Sequence, residues 1–271
     1  MNIHDLHIAS SVIQVASDAG DLIRRIYERE ADELKIQYKA DDSPLTLADE
    51  QAHQLIATRL QALTPSIPIL SEESEEIPYE ERKYWQQFWL VDPLDGTKEF
   101  ISRSGEFTVN IAVIEEGRPV LGCVHVPLTG ETFFAAQGRG AFCQNNNHRR
   151  RPIHCDPFSP QARGLRLTCS RSHIREGEKT YMQRFKDPVT IPQGSALKML
   201  RIADGKADVY PRFGPTMEWD IAAAEIILSE AGGQTFQAED GSPLFYNKED
   251  LYNPHFIACG RLEVSERVFL L

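Results

Sequence analysis

The sequence lacks the long apolar run that a membrane-spanning helix requires. No stretch approaches the roughly 20 consecutive apolar residues that cross a bilayer, and the first ten residues contain no apolar core of the kind found in signal peptides. We therefore expect a cytoplasmic protein without a transmembrane segment. Peripheral attachment to the cytoplasmic side of the inner membrane stays open at this point.

Basic residues are scarce relative to acidic ones. The chain has 29 Lys and Arg against 40 Asp and Glu, a net charge of −11. Nonspecific binding to nucleic acid needs a basic face, so we expect no nucleic-acid partner. A small anionic substrate is still compatible with this charge, because bound metal ions and a few local cations can reverse the potential inside a cleft.

Paired cysteines are absent as well. The five cysteines are odd in number and scattered, and no Cys-x-x-Cys pair occurs. This pattern predicts neither a disulfide framework nor a zinc ribbon. Reduced, partly buried thiols are typical of a cytoplasmic protein.

The apolar residues that are present divide the chain into two halves. With 41% hydrophobic residues in 271, the chain can bury a substantial core. Residues 1–147 show two amphipathic helices and then β-like runs with short connections, which predicts an antiparallel sheet. Residues 148–271 alternate strands and helices, as in α/β layers. We predict α+β and α/β halves that share one continuous core.

The most informative stretch reads Asp92-Pro93-Leu94-Asp95-Gly96-Thr97. It follows an apolar run, 88–91, that predicts a buried strand. The turn leaves two carboxylates at one strand end, where each raises the pKa of the other unless a cation lies between them. Carboxylate oxygens suit Mg²⁺, and the amides of Gly96 and Thr97 suit a phosphate oxygen. A solvated Asp-Pro/Asp-Gly turn is the alternative.

Three further acidic positions fit the same interpretation. Glu73 follows a short strand, as Asp92 does, so the two can face one cavity. Asp220 opens a long apolar helix, where the helix dipole also stabilises an aspartate that has no ligand. Asp49 lies three residues after Thr46, a spacing that also fits an N-terminal capping box. For both aspartates the structural explanation and the functional one stay open.

Three segments of the chain together resemble a known superfamily. They are 69–73, 89–97 and 219–223, and they match in order the signature blocks of the Mg²⁺-dependent, lithium-sensitive phosphomonoesterases. This superfamily includes inositol monophosphatase, fructose-1,6-bisphosphatase and 3'(2'),5'-bisphosphate nucleotidase. The resemblance implies their layered α-β-α-β-α sandwich. Segments 41–49, 97–101 and 105–110 are similar to the bacterial bisphosphate nucleotidases.

The resemblance also implies roles for individual residues. Two or three Mg²⁺ ions would be held by Glu73, Asp92, the Leu94 carbonyl, Asp95 and Asp220. Asp49 and the Thr97 hydroxyl, with Glu73, would orient and deprotonate the attacking water. The substrate would contact Glu73, Leu94, Asp95, Gly96, Thr97, Ser170, His173, Gly194, Lys198 and Asp220. A polar loop and a helix N-terminus with a surface lysine are alternatives for Ser170, His173, Gly194 and Lys198.

The implied reaction is hydrolysis of adenosine 3',5'-bisphosphate to AMP and phosphate. The implied partner is thus a small nucleotide bisphosphate, acted on by a monomer or homodimer. One alternative is a phosphatase of the same superfamily that acts on inositol or sugar phosphates. A different class is a regulator that binds metal and phosphate without turnover.

Overall fold

The structure, a computed structural model, describes residues 6–29, 37–38, 44–171 and 174–263. Within these ranges the helices are α1 (Leu6–Tyr27), α2 (Leu47–Leu63), α3 (Tyr79–Arg82), α4 (Thr97–Ile101), α5 (Glu176–Met182), α6 (Leu197–Ala203) and α7 (Glu218–Glu230). The strands are β1 (Gln37–Tyr38), β2 (Pro44–Leu45), β3 (Ile69–Ser71), β4 (Gln87–Asp95), β5 (Thr108–Glu115), β6 (Arg118–Val126), β7 (Glu131–Ala136), β8 (Ala141–Gln144), β9 (Arg150–Ile153), β10 (Pro157–Phe158), β11 (Arg166–Ser170), β12 (Val189–Gln193), β13 (Val209–Arg212), β14 (Gln234–Gln237), β15 (Phe256–Cys259) and β16 (Arg261–Leu262).

The first large sheet contains β3 to β9 in sequence order. β3 and β4 are parallel, and every later pair is antiparallel, as the short connections predict. Successive side chains of a strand point to opposite faces. In β4 this sends Trp89 and Val91 to one core cluster and Phe88 and Leu90 to another. Both faces of this sheet are therefore buried.

Helices cover the two faces of the first sheet. α1 and α2 pack on the face that carries Trp89. α6 and α7 pack on the face that carries Phe88. α7 is apolar around most of its circumference, which is typical of a helix buried on all sides. It approaches β6 so closely that a Cβ on Gly122 would lie 2.3 Å from the Ala223 carbonyl oxygen.

The second large sheet has the order β12-β11-β13-β15-β14. β11 runs parallel to β12 and β13, whereas β15 is antiparallel to β13 and β14. Tyr210 and Phe256 face α6 and α7, and Val209 and Ile257 face α5 on the far side. The layers are α1/α2, first sheet, α6/α7, second sheet and α5. The predicted α-β-α-β-α sandwich is confirmed.

The two predicted halves meet in one buried cluster. This cluster combines Leu90 and Val124 of the first sheet with Ile227 of α7 and Phe256 of the second sheet. The first sheet continues to Ile153, past the division predicted at residue 147. None of the helices in the described ranges combines the length and apolar character that a bilayer crossing requires.

Candidate active site

The carboxyl end of β4 carries the first two acids of the site. Its pairing with β5 shifts register between Asp92 and Asp95, so the strand bulges there. The Leu94 amide donates to Asp92 Oδ1 at 3.0 Å and fixes that carboxylate. Gly96 has φ +96°, a left-handed value that other residues rarely adopt. α4 begins directly afterwards, and both acids stay at the strand end.

Asp49 and Thr97 meet as the resemblance implied. Thr97 Oγ1 donates to Asp49 Oδ1 at 3.1 Å and lies 3.3 Å from the Leu94 carbonyl oxygen. Asp49 Oδ2 accepts from the Thr46 amide at 2.7 Å, which completes the capping box. Burial raises the pKa of Asp49 to about 6, although the hydrogen bonds from Thr46 and Thr97 act in the opposite direction. The same carboxylate thus serves the capping box and the contact with Thr97.

The first turn of α7 brings Asp220 to the β4 strand end. Asp220 Oδ2 accepts from the Met217 amide at 2.9 Å, a second capping arrangement. Asn110, buried on β5, joins the two elements. Its Nδ2 lies 3.3 Å from Asp95 Oδ2 and 3.4 Å from the Asp220 carbonyl oxygen. The structure therefore gathers Asp92, Asp95 and Asp220, which lie far apart in sequence.

The pKa values of these acids reflect how little positive charge faces them. Burial raises the pKa of Asp92 well above its ordinary value, and the charges of Glu72, Asp95 and Asp220 raise it further. Burial also raises the pKa of Asp220, with Asp95 and Glu72 adding to the effect and Arg212 opposing it. Buried acids that repel one another favour either protonation or a bound cation.

Glu72, the residue before the predicted Glu73, acts on this cluster. Its charge raises the pKa of Asp49, Asp92 and Asp220. The register of the sheet explains its position. Ser71 pairs with Val91, so the next residue, Glu72, comes level with Asp92.

The donor set fits a hard divalent cation. Asp92 Oδ1, Asp95 Oδ2 and Asp220 Oδ2 accept hydrogen bonds from protein donors. The opposite oxygen of each accepts none from the described residues, and oxygen ligands are those that Mg²⁺ prefers. In the described ranges no three His, Cys, Asp or Glu side chains gather as closely as ligands around one ion. The acids share a wall of the site rather than forming a closed coordination sphere.

A cavity of about 170 Å³ opens beside these acids. Of the residues predicted to contact substrate, those that line it are Asp95, Gly96, Ser170, Gly194, Lys198 and Asp220. Leu94 is buried next to it and Glu73 does not line it. His173 lies outside the described residues.

Cations line the cavity together with the acids. Lys198 is 9% exposed, and its Nζ donates to the Ser195 carbonyl oxygen at 2.5 Å. Burial lowers the pKa of Lys198, while the charge of Asp95 opposes that change. The predicted lysine is therefore a buried cation of the cavity and not a surface residue. Arg212, which the sequence analysis did not single out, lines the same cavity.

Other residues that the sequence missed hold the site together. Ser195 Oγ donates to Asp95 Oδ2 at 2.7 Å. Glu106 accepts from Arg171 Nη2 at 2.6 Å and from the Gly194 amide at 2.7 Å. Asn110 and Glu106 lie inside the segment 105–110 that carried the resemblance, but they had been given no role. The left-handed backbone of Ser195 has no signal in the sequence.

Comparison with known proteins identifies the family. The model of the inositol monophosphatase family matches residues 6–265. The chain belongs to this family. Its members are generally metal-dependent phosphatases, which agrees with the oxygen-rich acids of the site.

Several curated relatives carry the name of one enzyme. The 3'(2'),5'-bisphosphate nucleotidase CysQ of Escherichia coli O157:H7 is 44% identical over 246 residues, 90% of this chain and 96% of the relative. The protein of the same name from Aggregatibacter actinomycetemcomitans is 39% identical over 95% of this chain and 94% of its own length. The crystal structure of CysQ from Bacteroides thetaiotaomicron superposes with a TM-score of 0.83 at 38% identity, covering 97% of this chain and all 100% of that one.

Proposed function

We propose that this chain is a 3'(2'),5'-bisphosphate nucleotidase that hydrolyses the 3'-phosphate of adenosine 3',5'-bisphosphate to AMP and phosphate. The identity of 39–44% to curated nucleotidases over at least 90% of the chain supports the activity. The structural observation that carries it is a cavity lined by Asp95 and Asp220 together with Lys198 and Arg212, next to the buried Asp92. Such a cavity has acids for a cation and basic groups for phosphate.

We further propose that the cation is Mg²⁺, with two or three ions per site. Glu72, Asp92, the Leu94 carbonyl, Asp95 and Asp220 would hold it, with Glu72 replacing the Glu73 predicted from the sequence. When bound, the metal neutralises the carboxylates and stabilises negative charge on the phosphoryl oxygens. This proposal is supported by the open oxygens of the aspartates and by the like charges that surround Asp92.

Asp49 and Thr97 then accept the proton that the attacking water loses. Thr97 Oγ1 already donates to Asp49 Oδ1, so the hydroxyl can pass its proton to the carboxylate as it accepts one from water. The resulting hydroxide attacks phosphorus, and the ester oxygen leaves opposite to it and takes up a proton. The Gly96 and Thr97 amides, at the start of α4, are proposed to donate to the transferring oxygens.

The remaining parts of the substrate need other partners. A nucleotide bisphosphate carries a second phosphate, which Lys198 and Arg212 of the cavity can bind. Ser170 and Gly194, which line the same cavity, are proposed to contact the nucleotide. An inositol monophosphate has no second phosphate, and binding it would not use the contact with these two cations.

A substrate panel tests the proposed function. Phosphate release in Mg²⁺ is measured from adenosine 3',5'-bisphosphate, inositol 1-phosphate and fructose 1,6-bisphosphate, with EDTA as the control and with added Li⁺. We expect release from the nucleotide to exceed release from inositol 1-phosphate by at least about 100-fold, since losing one charged contact costs on the order of 3 kcal/mol. We also expect it to exceed release from fructose 1,6-bisphosphate. Comparable rates would support an inositol or sugar phosphatase. No release from any of the three would support a non-catalytic binding protein.

A further inference from the structure

One carboxylate oxygen of the site accepts two protein donors. Asp95 Oδ2 lies 2.7 Å from Ser195 Oγ and 3.3 Å from Asn110 Nδ2. Among the described residues nothing donates to the other oxygen, Oδ1. The two donors therefore determine which oxygen of Asp95 faces the protein and which one is left for a ligand.

The backbone of Ser195 is held in an unusual conformation. Its φ is +53°, in the left-handed region that residues with a Cβ rarely adopt. The preceding residue is fixed by Glu106, which accepts from the Gly194 amide at 2.7 Å and from Gln193 Nε2 at 3.0 Å. Arg171 fixes Glu106 in turn through two hydrogen bonds. Hydrogen bonds to the two preceding residues thus help to maintain a backbone conformation of Ser195 that costs energy.

Thr108 completes the arrangement from the adjacent strand. It is fully buried, and its Oγ1 lies 2.6 Å from Ser195 Oγ and 2.8 Å from Asn110 Oδ1. Ser195 has one hydroxyl proton, and a carboxylate is a stronger acceptor than a hydroxyl. The Ser195 proton therefore points to Asp95, and the single Thr108 proton is left for Ser195 Oγ or Asn110 Oδ1. Thr108 thus contacts both groups that donate to Asp95.

We propose that Ser195, supported by Thr108, is a positioning residue that holds Asp95 Oδ2 and thereby presents Oδ1 to the catalytic cation. The inference rests on the proposed function for the presence of that cation. Groups that orient a metal ligand typically contribute 10- to 100-fold to metal affinity or activity. The hydroxyl of Ser195 is expected to act through metal affinity, in contrast to a residue that only contacts substrate.

The first experiment separates the hydroxyl from the strained backbone. Ser195→Ala and Ser195→Gly both remove the hydroxyl, but only glycine adopts a positive φ without cost. Mn²⁺ affinity is measured by electron paramagnetic resonance without substrate, together with the thermal midpoint in EDTA. We expect both variants to bind Mn²⁺ about 10- to 100-fold more weakly, with a midpoint for the glycine variant at or above wild type. Wild-type affinity in the glycine variant would overturn the proposal.

The second experiment tests the contribution of Thr108. Thr108→Val keeps the shape and removes the hydroxyl, Thr108→Ser restores it, and Thr132→Val is the matched control. Thr132 is also buried in the first sheet, but its hydroxyl bonds His125. We expect weaker Mn²⁺ binding for Thr108→Val, recovery for Thr108→Ser, and wild-type affinity for Thr132→Val. Equal losses in Thr108→Val and Thr132→Val would indicate a general effect on the sheet and contradict the proposal.

Turnover distinguishes this inference from the proposed function. If the wild type hydrolyses the bisphosphate nucleotide while Ser195→Gly has unchanged metal affinity, the inference fails and the function stands. At saturating Mg²⁺ we expect Ser195→Gly to regain most of the wild-type kcat. A kcat that stays low at every Mg²⁺ concentration would assign the hydroxyl to another step and contradict the inference.

Discussion

Glu218 and Asp220 lie two residues apart in the first turn of α7, but the groups that surround their carboxylates differ in charge. Glu218 is fully buried, yet its carboxylate accepts from Lys248 Nζ at 2.5 Å and from the Asn247 amide at 2.7 Å. Burial raises the pKa of Glu218, and these groups lower it part of the way back. Asp220 accepts from the Met217 amide and faces the charges of Asp95 and Glu72, which raise its pKa, with Arg212 acting in the opposite direction.

The contrast separates a structural acid from a functional one. The protein supplies the cation for Glu218, and the network also anchors the segment 247–248 against α7. For Asp220 the protein supplies neighbours of the same charge, which is unfavourable for folding unless a cation binds. A position of this kind, buried and costly, is typical of a catalytic or ligand-binding group. Substitutions of these acids test the distinction between the two roles.

The largest effect is expected for Asp220→Asn. The amide still accepts from Met217 but no longer provides a charged metal ligand, so we expect phosphate release to fall at least about 1,000-fold, equivalent to about 4 kcal/mol. The thermal midpoint in EDTA should not decrease, because a mutual repulsion has been removed. A variant that keeps a third of the wild-type turnover would contradict the assignment of Asp220.

Glu72→Gln and Glu73→Gln together test the correction made by the structure. The register of β3 places Glu72 beside Asp92, so we expect Glu72→Gln to lower turnover on the order of 100-fold and Glu73→Gln to change it by less than about threefold. Steady-state rates at several Mg²⁺ concentrations give the measurement. The reverse order of effects would restore the assignment made from the sequence.

Glu218→Gln should affect stability more than catalysis. The substitution removes the charge that pairs with Lys248, and we expect a loss of about 1–3 kcal/mol in the free energy of unfolding. Urea unfolding measures the loss, and Lys83→Gln, at an exposed ion pair with Glu80, is a control with an expected change below about 1 kcal/mol. If Glu218→Gln abolished turnover without loss of stability, the distinction from Asp220 would fail.

For Glu225, a third acid of α7, we expect a smaller effect on stability that depends on pH. Burial raises the pKa of Glu225 to about 7, and its partner is the Tyr246 hydroxyl. Because the native state holds this proton more tightly than the unfolded state does, its contribution to stability falls as pH rises from about 4.5 through 7.

The Glu225→Gln variant removes that titration. The measurement is the decrease in the free energy of unfolding, determined in urea, between pH 5 and pH 8. This decrease should be about 1–2 kcal/mol smaller for the variant than for the wild type. Parallel pH profiles for the two proteins would show that Glu225 does not titrate in this range.

Much of the fold follows from local patterns in the sequence. Periodic apolar residues predicted α1 and α2, and the long apolar helix predicted at Asp220 is found as α7. α6 begins at Leu197, and Ser195, just before it, takes up a left-handed conformation. A conformation that is imposed by contacts with Glu106 and Asp95 leaves no local pattern.

The site was predictable where a motif fixes the backbone. The Asp-Pro-Leu-Asp-Gly motif located Asp92 and Asp95 at the end of β4, and the contact between Asp49 and Thr97 agrees with the resemblance. Glu72 was missed because two adjacent glutamates cannot be distinguished without the pairing of β3 with β4. Arg212 and Asn110 come from strands whose approach to the acids depends on the packing of both sheets.

The central claim is that four acids from three separate segments bind divalent cations beside one phosphate site. Crystals soaked in Mn²⁺ and measured for anomalous scattering test it most directly. We predict peaks about 2.1–2.3 Å from oxygens of Glu72, Asp92, Asp95 and Asp220, with Asp95 bound through Oδ1. A structure in which the peaks lie elsewhere, or in which Glu73 replaces Glu72 as a ligand, would contradict this account.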